Sequence, residues 1–376
     1  MADRTKRSTG HRRKRDVNYT FFVMVLTLLA FGIIMVFSAS SPIAHYNNQD
    51  AMFYFRRQLI FGLFGLFFMS IVSRMNYKVW YKWYIGIGVV TLVLLFLVPV
   101  IGVEVNGAKR WLKLGPISIQ PSEIAKVSMV IIMSRLLTDY GHNIKNFFKG
   151  FCLMMVVPAT LGIIVFLEDH LSGSIIIILV GVVLAYVAGA RFKQIALTGI
   201  GVGVPVAIGA VAVAPYRVAR VMSFLDPFAD ARGAGWQVVQ SLYAIGSGGL
   251  FGVGLGQSRE KYLYLPEPHT DFIFSVICEE LGFLGALLVI VMFAILIVTG
   301  YKIALNAPDK FSSLLVTGIV TLIALQVIFN IAVVTSAMPC TGITLPFFSY
   351  GGSSLVINLV EMGIVLNVSR YTNKKL

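Results

Sequence analysis

Charge is scarce in this sequence. Of 376 residues only 13% are Asp, Glu, Lys or Arg, while 57% are apolar and mean hydropathy is +0.83. A soluble domain carries about 25% charged residues, and the shortfall runs along the whole chain, so no soluble catalytic domain is expected at either end. Polar–apolar alternation at period two is also missing, which excludes the strands of a membrane barrel. Cysteines are few and scattered: Cys152, Cys278 and Cys340 form neither a disulfide framework nor a metal-ligand spacing.

What is present in quantity is the apolar run. A helix crosses a bilayer with about 20 such residues, and the predicted spans are 19–40, 57–73, 84–101, 120–138, 150–167, 171–189, 194–214, 272–299, 312–335 and 353–369. The expectation is an all-α polytopic membrane protein of about ten transmembrane helices. Ser38-Ala39-Ser40 has the look of a signal-peptide cleavage site, but the preceding run is too long for a signal sequence, so a retained first helix is expected. The net charge is +14, and seven of the 31 basic residues sit in a tail, residues 1–18: Arg4, Lys6, Arg7, Arg12, Arg13, Lys14 and Arg15. Such a tail orients the first span and contacts anionic lipid, and with it inside, basic residues favour the cytoplasmic side two to one. Both termini are therefore placed in the cytoplasm, and nucleic acid is not an expected partner.

Connections are short except for residues 215–271, a large extracytoplasmic loop between helices 7 and 8, too rich in aromatics to be disordered. Arg217-Val-Ala-Arg220 before Phe224-Leu-Asp-Pro-Phe228 predicts a short helix ending in a turn, and Gly235–Tyr243 predicts a helix lying in the interface. The glycine-dense stretch Gly246–Gly256 has two readings: backbone N–H groups offered to phosphate, or a closely packed turn, which is favoured because no strand precedes it.

Ionisable residues at or inside spans are costly and therefore informative. Asp271 stands where the eighth span begins, and either caps that helix or serves as a carboxylate base at the membrane surface. Glu123 and Lys126, at i and i+3, pair on one face of the fourth span, as a structural ion pair or as part of a substrate site. Lys109 and Arg110 flank Trp111 just outside the membrane, in either a pyrophosphate contact or a solvated interfacial helix. Glu279, Glu280 and Glu361 lie within spans, which keeps an ion or proton pathway open.

Taken together, Asn106-Gly-Ala-Lys-Arg-Trp111, Gln120-Pro-Ser-Glu-Ile-Ala-Lys126, Pro266-Glu-Pro-His-Thr-Asp-Phe-Ile-Phe274 with Glu279-Glu-Leu-Gly282, and Leu345-Pro-Phe-Phe-Ser-Tyr-Gly-Gly-Ser-Ser354 resemble the SEDS family of peptidoglycan glycosyltransferases. Gly254-Leu-Gly-Gln-Ser258 resembles the FtsW/SpoVE branch more than RodA. The resemblance implies polymerisation of lipid II into glycan strands at the outer face of the bacterial cytoplasmic membrane, in division or sporulation. It implies Asp271 as the catalytic base, and Lys109, Arg110, Trp111, Glu123, Lys126, His269 and Thr270 as substrate contacts. It also implies a class B penicillin-binding protein and divisome or sporulation proteins as partners. No metal site of the protein's own is expected, although a divalent cation could bridge the substrate pyrophosphate. Where relatives carry Gln/Glu-Pro-Asp-Leu-Gly, this chain reads Leu167-Glu-Asp-His-Leu-Ser-Gly173, so no role carries over to Asp169. A lipid II flippase, or a non-catalytic scaffold for a cell-wall synthase, are the alternative functions.

Overall fold

The computed structural model of the chain describes residues 16–105, 107–115 and 117–372. The basic tail through Arg15, Asn106 of the first motif, and Lys374 and Lys375 lie outside the described residues. Helix α1, Tyr19–Asn48, begins where the Asn18 side chain accepts the Phe21 N–H at 2.8 Å, satisfying one of the orphan donors of a first turn. It is followed by α2, Phe53–Arg74; α3, Lys78–Ile101; α4, Pro121–Asp139; α5, Leu153–Leu167; α6, Leu171–Val187; α7, Phe192–Thr198; and α8, Val204–Ala212. After the long loop come α11, Ile273–Leu305; α12, Lys310–Val334; and α13, Gly352–Ser369.

Eight helices among the described residues are long and apolar enough to cross a membrane, with α7 and α8 joined as one, Phe192–Ala212. The two other expected spans are α6, 17 residues long, and α4, whose turns carry Glu123, Lys126, Arg135 and Asp139. Burial sorts the bundle. Within their apolar windows α12 and α13 are 72% and 78% buried, whereas α3 is 17% buried and Phe192–Ala212 not at all. A helix apolar on every side can sit in either place; what draws α13 inward is small residues. Gly363 packs on the Met69 backbone and Gly65 on Leu359, so α2 and α13 approach closely.

Of the two readings of residues 106–115, the interfacial helix is not what the segment after α3 forms. It folds as a three-stranded antiparallel sheet, β1 Val103–Val105, β2 Ala108–Leu114 and β3 Ile117–Ile119, with Gly107 and Gly115 in left-handed conformations at the two turns. Val103 faces Trp111 while Glu104 faces Lys109, so Arg110 is the extra residue of a bulge.

The long loop contains α9, Pro215–Leu225, as expected, and α10, Trp236–Gly248. The helix expected over 235–243 is present, and one face of it packs on the bundle. Val238, Val239, Ser241, Ala244 and Gly248 are buried where α10 packs against α11 and α12. Close packing is also the role of the glycines. Helix α11 breaks at Gly282, where φ is 66° and ψ −168°, a conformation only glycine adopts easily. The break strands backbone groups that lipid cannot satisfy. The turn after α10 satisfies them: Val253 N–H and Gly254 N–H donate to the carbonyls of Glu279 and Glu280, and Phe283 and Leu284 N–H donate to Gly249 and Leu250, all at 2.9–3.2 Å. These N–H groups are occupied and not offered to phosphate.

Candidate functional site

Asp271 precedes α11 on a tight turn, residues 267–272, in which Glu267 adopts φ 51°. The cap reading fails. Phe272 is the N-cap and makes no side-chain bond, and Thr270 Oγ1 donates back to Glu267 O and Oε2 at 3.2 and 2.9 Å. The Asp271 carboxylate makes no hydrogen bond or ion pair with another described residue. Burial, and next the Glu267 carboxylate, hold its pKa up to about 6 against the pull of Arg220 and Arg110.

The turn is held from three directions. Ser349 Oγ donates to Thr270 O at 2.6 Å, Tyr350 N–H donates to His269 O at 2.7 Å, and Asn330 Nδ2 of α12 donates to Asp271 O at 2.8 Å. The closing motif Leu345–Ser354 thus acts as a scaffold for the Asp271 turn. His269 is turned away from the carboxylate into an aromatic cluster, 4.5 Å from Tyr54 and 5.7 Å from Tyr350 between ring centres. His269 and Thr270 shape the turn.

Cations converge from separate elements. Arg110, carried by the bulge in β2, donates to the carbonyl of Asp169 in the α5–α6 loop. Arg217 of α9 pairs with Asp169 Oδ1 at 3.1 Å and lies over the Phe166 ring at 4.8 Å. Arg220, one turn on, donates to Cys340 O at 3.2 Å. Asp169, at φ 58°, therefore ties β2 and α9 to the membrane bundle. Beside it both oxygens of Glu168 are buried without a partner, and burial pushes its carboxyl up to about 8 although Arg110 pulls it down. Lys109 is exposed and is not gathered with Arg110, while Trp111 is half-buried on the sheet.

Lys126 and Glu123 form a buried pair at 2.7 Å. Both line a cavity of about 30 Å³ with Gln120, His170, Gln326 and Gly342, roughly room for two waters. The ring of His170 is 3.1 Å from Ser122 Oγ, and burial, then Arg110 and Lys126, push its pKa down to about 3, so it is a neutral polar wall. Gly342 connects cavity and carboxylate: a Cβ there would lie 3.2 Å from Asp271 Oδ2.

The intramembrane glutamates of α11 are tied into structure. Glu280 bonds Lys261 Nζ at 2.7 Å and Ser38 Oγ at 2.6 Å, and Glu279 accepts Arg259 N–H at 2.7 Å and the Ser258 hydroxyl. Glu361 is buried in α13 with Oε2 unpartnered. Among the described residues no three His, Cys, Asp or Glu converge as metal ligands; Asp271 and Glu267 are neighbours that a cation arriving with a substrate could share. From the sequence Arg217 and Arg220 are read only as part of a short helix and Glu168 only as part of an atypical stretch, none as a site residue, and Asn330 is not singled out. The charge of the two arginines within an otherwise apolar chain was the available signal; Asn330 carried none.

The chain matches the cell cycle protein family FtsW/RodA/SpoVE over residues 19–374. It is 42% identical to stage V sporulation protein E of Bacillus subtilis across 96% of this chain and 99% of that one. It is 40% identical to a probable peptidoglycan glycosyltransferase FtsW of Trichlorobacter lovleyi, across 95% and 94%. Among solved structures it resembles a chain of a peptidoglycan synthase complex that coordinates polymerization and crosslinking (TM-score 0.79, 28% identity, 94% and 98% covered). It also resembles the rod shape determining protein RodA of Thermus thermophilus (TM-score 0.67, 26% identity, 96% and 98% covered).

Proposed function

The chain belongs to the FtsW/RodA/SpoVE family of cell cycle proteins, and from that premise we propose that it is a peptidoglycan glycosyltransferase polymerising lipid II at the outer face of the bacterial cytoplasmic membrane. The observation that carries the chemistry is the uncapped, half-buried carboxylate of Asp271, unbonded among the described residues, with arginines nearby. Polymerisation needs a base to take the proton from the acceptor sugar's 4-hydroxyl as that oxygen attacks the donor's anomeric carbon. The C–O bond to lipid pyrophosphate breaks with inversion, and the departing pyrophosphate carries its electron pair away as charge. A carboxyl held up at about 6 is ionised at neutral pH yet a better base than an ordinary aspartate. One carboxylate suffices, since pyrophosphate leaves without the general acid a glycosidase supplies.

Arg110 and Arg220 are placed to stabilise the pyrophosphate charge, a use of fixed donors that strengthens as charge develops. Lys126 adds a cation at the cavity wall, held by Glu123. Lys109, exposed on the sheet, is assigned no pyrophosphate contact. Any divalent cation would arrive with the substrate and share Asp271 and Glu267; the protein's own residues do the proton transfer. Ten crossings, with both termini in the cytoplasm and residues 215–271 outside, put Asp271 at the outer surface. A class B penicillin-binding protein is the proposed partner, with divisome or sporulation proteins around it and lipid on every exposed face.

The flippase reading loses support because Glu279 and Glu280 are paired, and because α11 is broken without a matching broken helix among the described residues. The test is strand formation from labelled lipid II by purified protein with its cognate penicillin-binding partner. Wild type should make strands, and Asp271→Ala, still folded and still bound to its partner, should make none. Strands from both would return Asp271 to a structural role; none from either would put the flippase ahead.

A further inference from the structure

We infer that Asn330 is a positioning residue for the Asp271 carboxylate, setting its placement from the buried face of α12. Asn330 lies on α12 at 1% exposure. Its single amide nitrogen donates both protons, one to Asp271 O at 2.8 Å and one to Ile343 O at 2.7 Å. The reversed amide would point oxygen at two carbonyls, so the orientation is unambiguous. Its own Oδ1 is buried without a partner, the kind of exception that native structures tolerate mainly where something else is gained.

The two carbonyls belong to the two walls of the carboxylate. Asp271 O lies near the end of the turn of residues 267–272, and Ile343 follows Gly342, where a Cβ would lie 3.2 Å from Asp271 Oδ2. Asn330 therefore fixes the separation of carboxylate and opposing wall, and with it the burial that makes Asp271 a stronger base. The other two anchors of the turn, Ser349 and Tyr350, grip Thr270 and His269 and leave Asp271 itself untouched. The groups that face Asp271 are Glu267 on its own turn, Arg220 from α9, Arg110 from β2 and Cys340 from the segment before α13. None of them is bonded to Asn330, so removing the amide acts on Asp271 and not on its neighbours' charges.

The inference rests on Asp271 as the base. The experiment is the pH profile of steady-state polymerisation by Asn330→Ala, Asn330→Ser and wild type, each with the penicillin-binding partner. The Ala variant should lose about tenfold or more in kcat with KM within about threefold, as expected for lost alignment in place of lost binding. Its acid limb should move below the wild-type midpoint, because a loosened turn admits water and relieves the desolvation of Asp271. Ser, with one donor, should lie between. An unchanged kcat, a reduced kcat with an unmoved limb, or failure of both variants to fold would each overturn the inference in favour of a structural residue. Strands from Asp271→Ala would instead remove the base itself, so the two failures are distinguishable.

Discussion

Helix α11 carries two sets of carboxylates less than three turns apart that are treated oppositely. Glu279 and Glu280 are sealed in the bundle with every charge answered by Ser258, Arg259 N–H, Lys261 and Ser38. Asp271, just ahead of the helix, is only half-buried, and its oxygens have no partner among the described residues. A buried charge that is fully bonded contributes to architecture; one left unbonded costs stability and persists where chemistry uses it. Pairing alone does not separate the acids of this protein, since Glu168 and Glu361 also have unbonded oxygens but are enclosed; Asp271 is the unbonded carboxylate that is half-open.

That contrast can be broken most sharply at Asp271. Asp271→Asn keeps size and loses basicity, so polymerisation from lipid II should fall by about 10³-fold or more, while thermal unfolding stays where it was or rises. The opposite pattern is expected at the paired end. Lys261→Met leaves Glu280 buried without its cation, bonded to the Ser38 hydroxyl, a loss of about 3–5 kcal/mol, seen as a lower unfolding temperature with activity per folded molecule retained. Next in size is a comparison of neighbours: Arg110→Ala should lower kcat roughly 10²-fold, whereas Lys109→Ala, an exposed charge, should change it by less than about twofold. The mildest probe is acid. Asp271 must be ionised to act, and its pKa is raised, so the rate should fall as pH drops through about 6, reaching roughly a tenth of its plateau one unit lower. A rate flat to pH 5 would place the base elsewhere.

Much of this was legible in the amino-acid sequence, and the reasons for the rest are physical. Hydropathy located the helices because lipid imposes one requirement on every span. The position of Asp271 at the mouth of α11 followed from the prolines and polar residues before it. The sheet around Arg110 was not legible, since its strands are only 3, 7 and 3 residues long and owe their form to pairing with each other. Nor was the burial of α10, whose apolar face suits lipid headgroups and protein equally; only the break at Gly282 creates the backbone groups it covers. Asn330 reads as an ordinary polar residue in a span until its two carbonyl partners, 59 and 13 positions away, are brought together by the fold.

The interruption of α11 has a consequence for how the protein meets bilayers of different thickness. At 1.5 Å per residue the 33-residue helix would be a rod of about 50 Å, far longer than a hydrocarbon core of about 30 Å, and such a rod answers any change in lipid length by tilting. The break divides it. Residues 283–305, about 34 Å long, come close to the thickness of the hydrocarbon core, and the residues before Gly282 form a separate short piece. The turn after α10 is bonded on both sides of Gly282, to Glu279 and Glu280 before it and to Phe283 and Leu284 after it, so the longer piece is tied through that turn to the short piece next to Asp271.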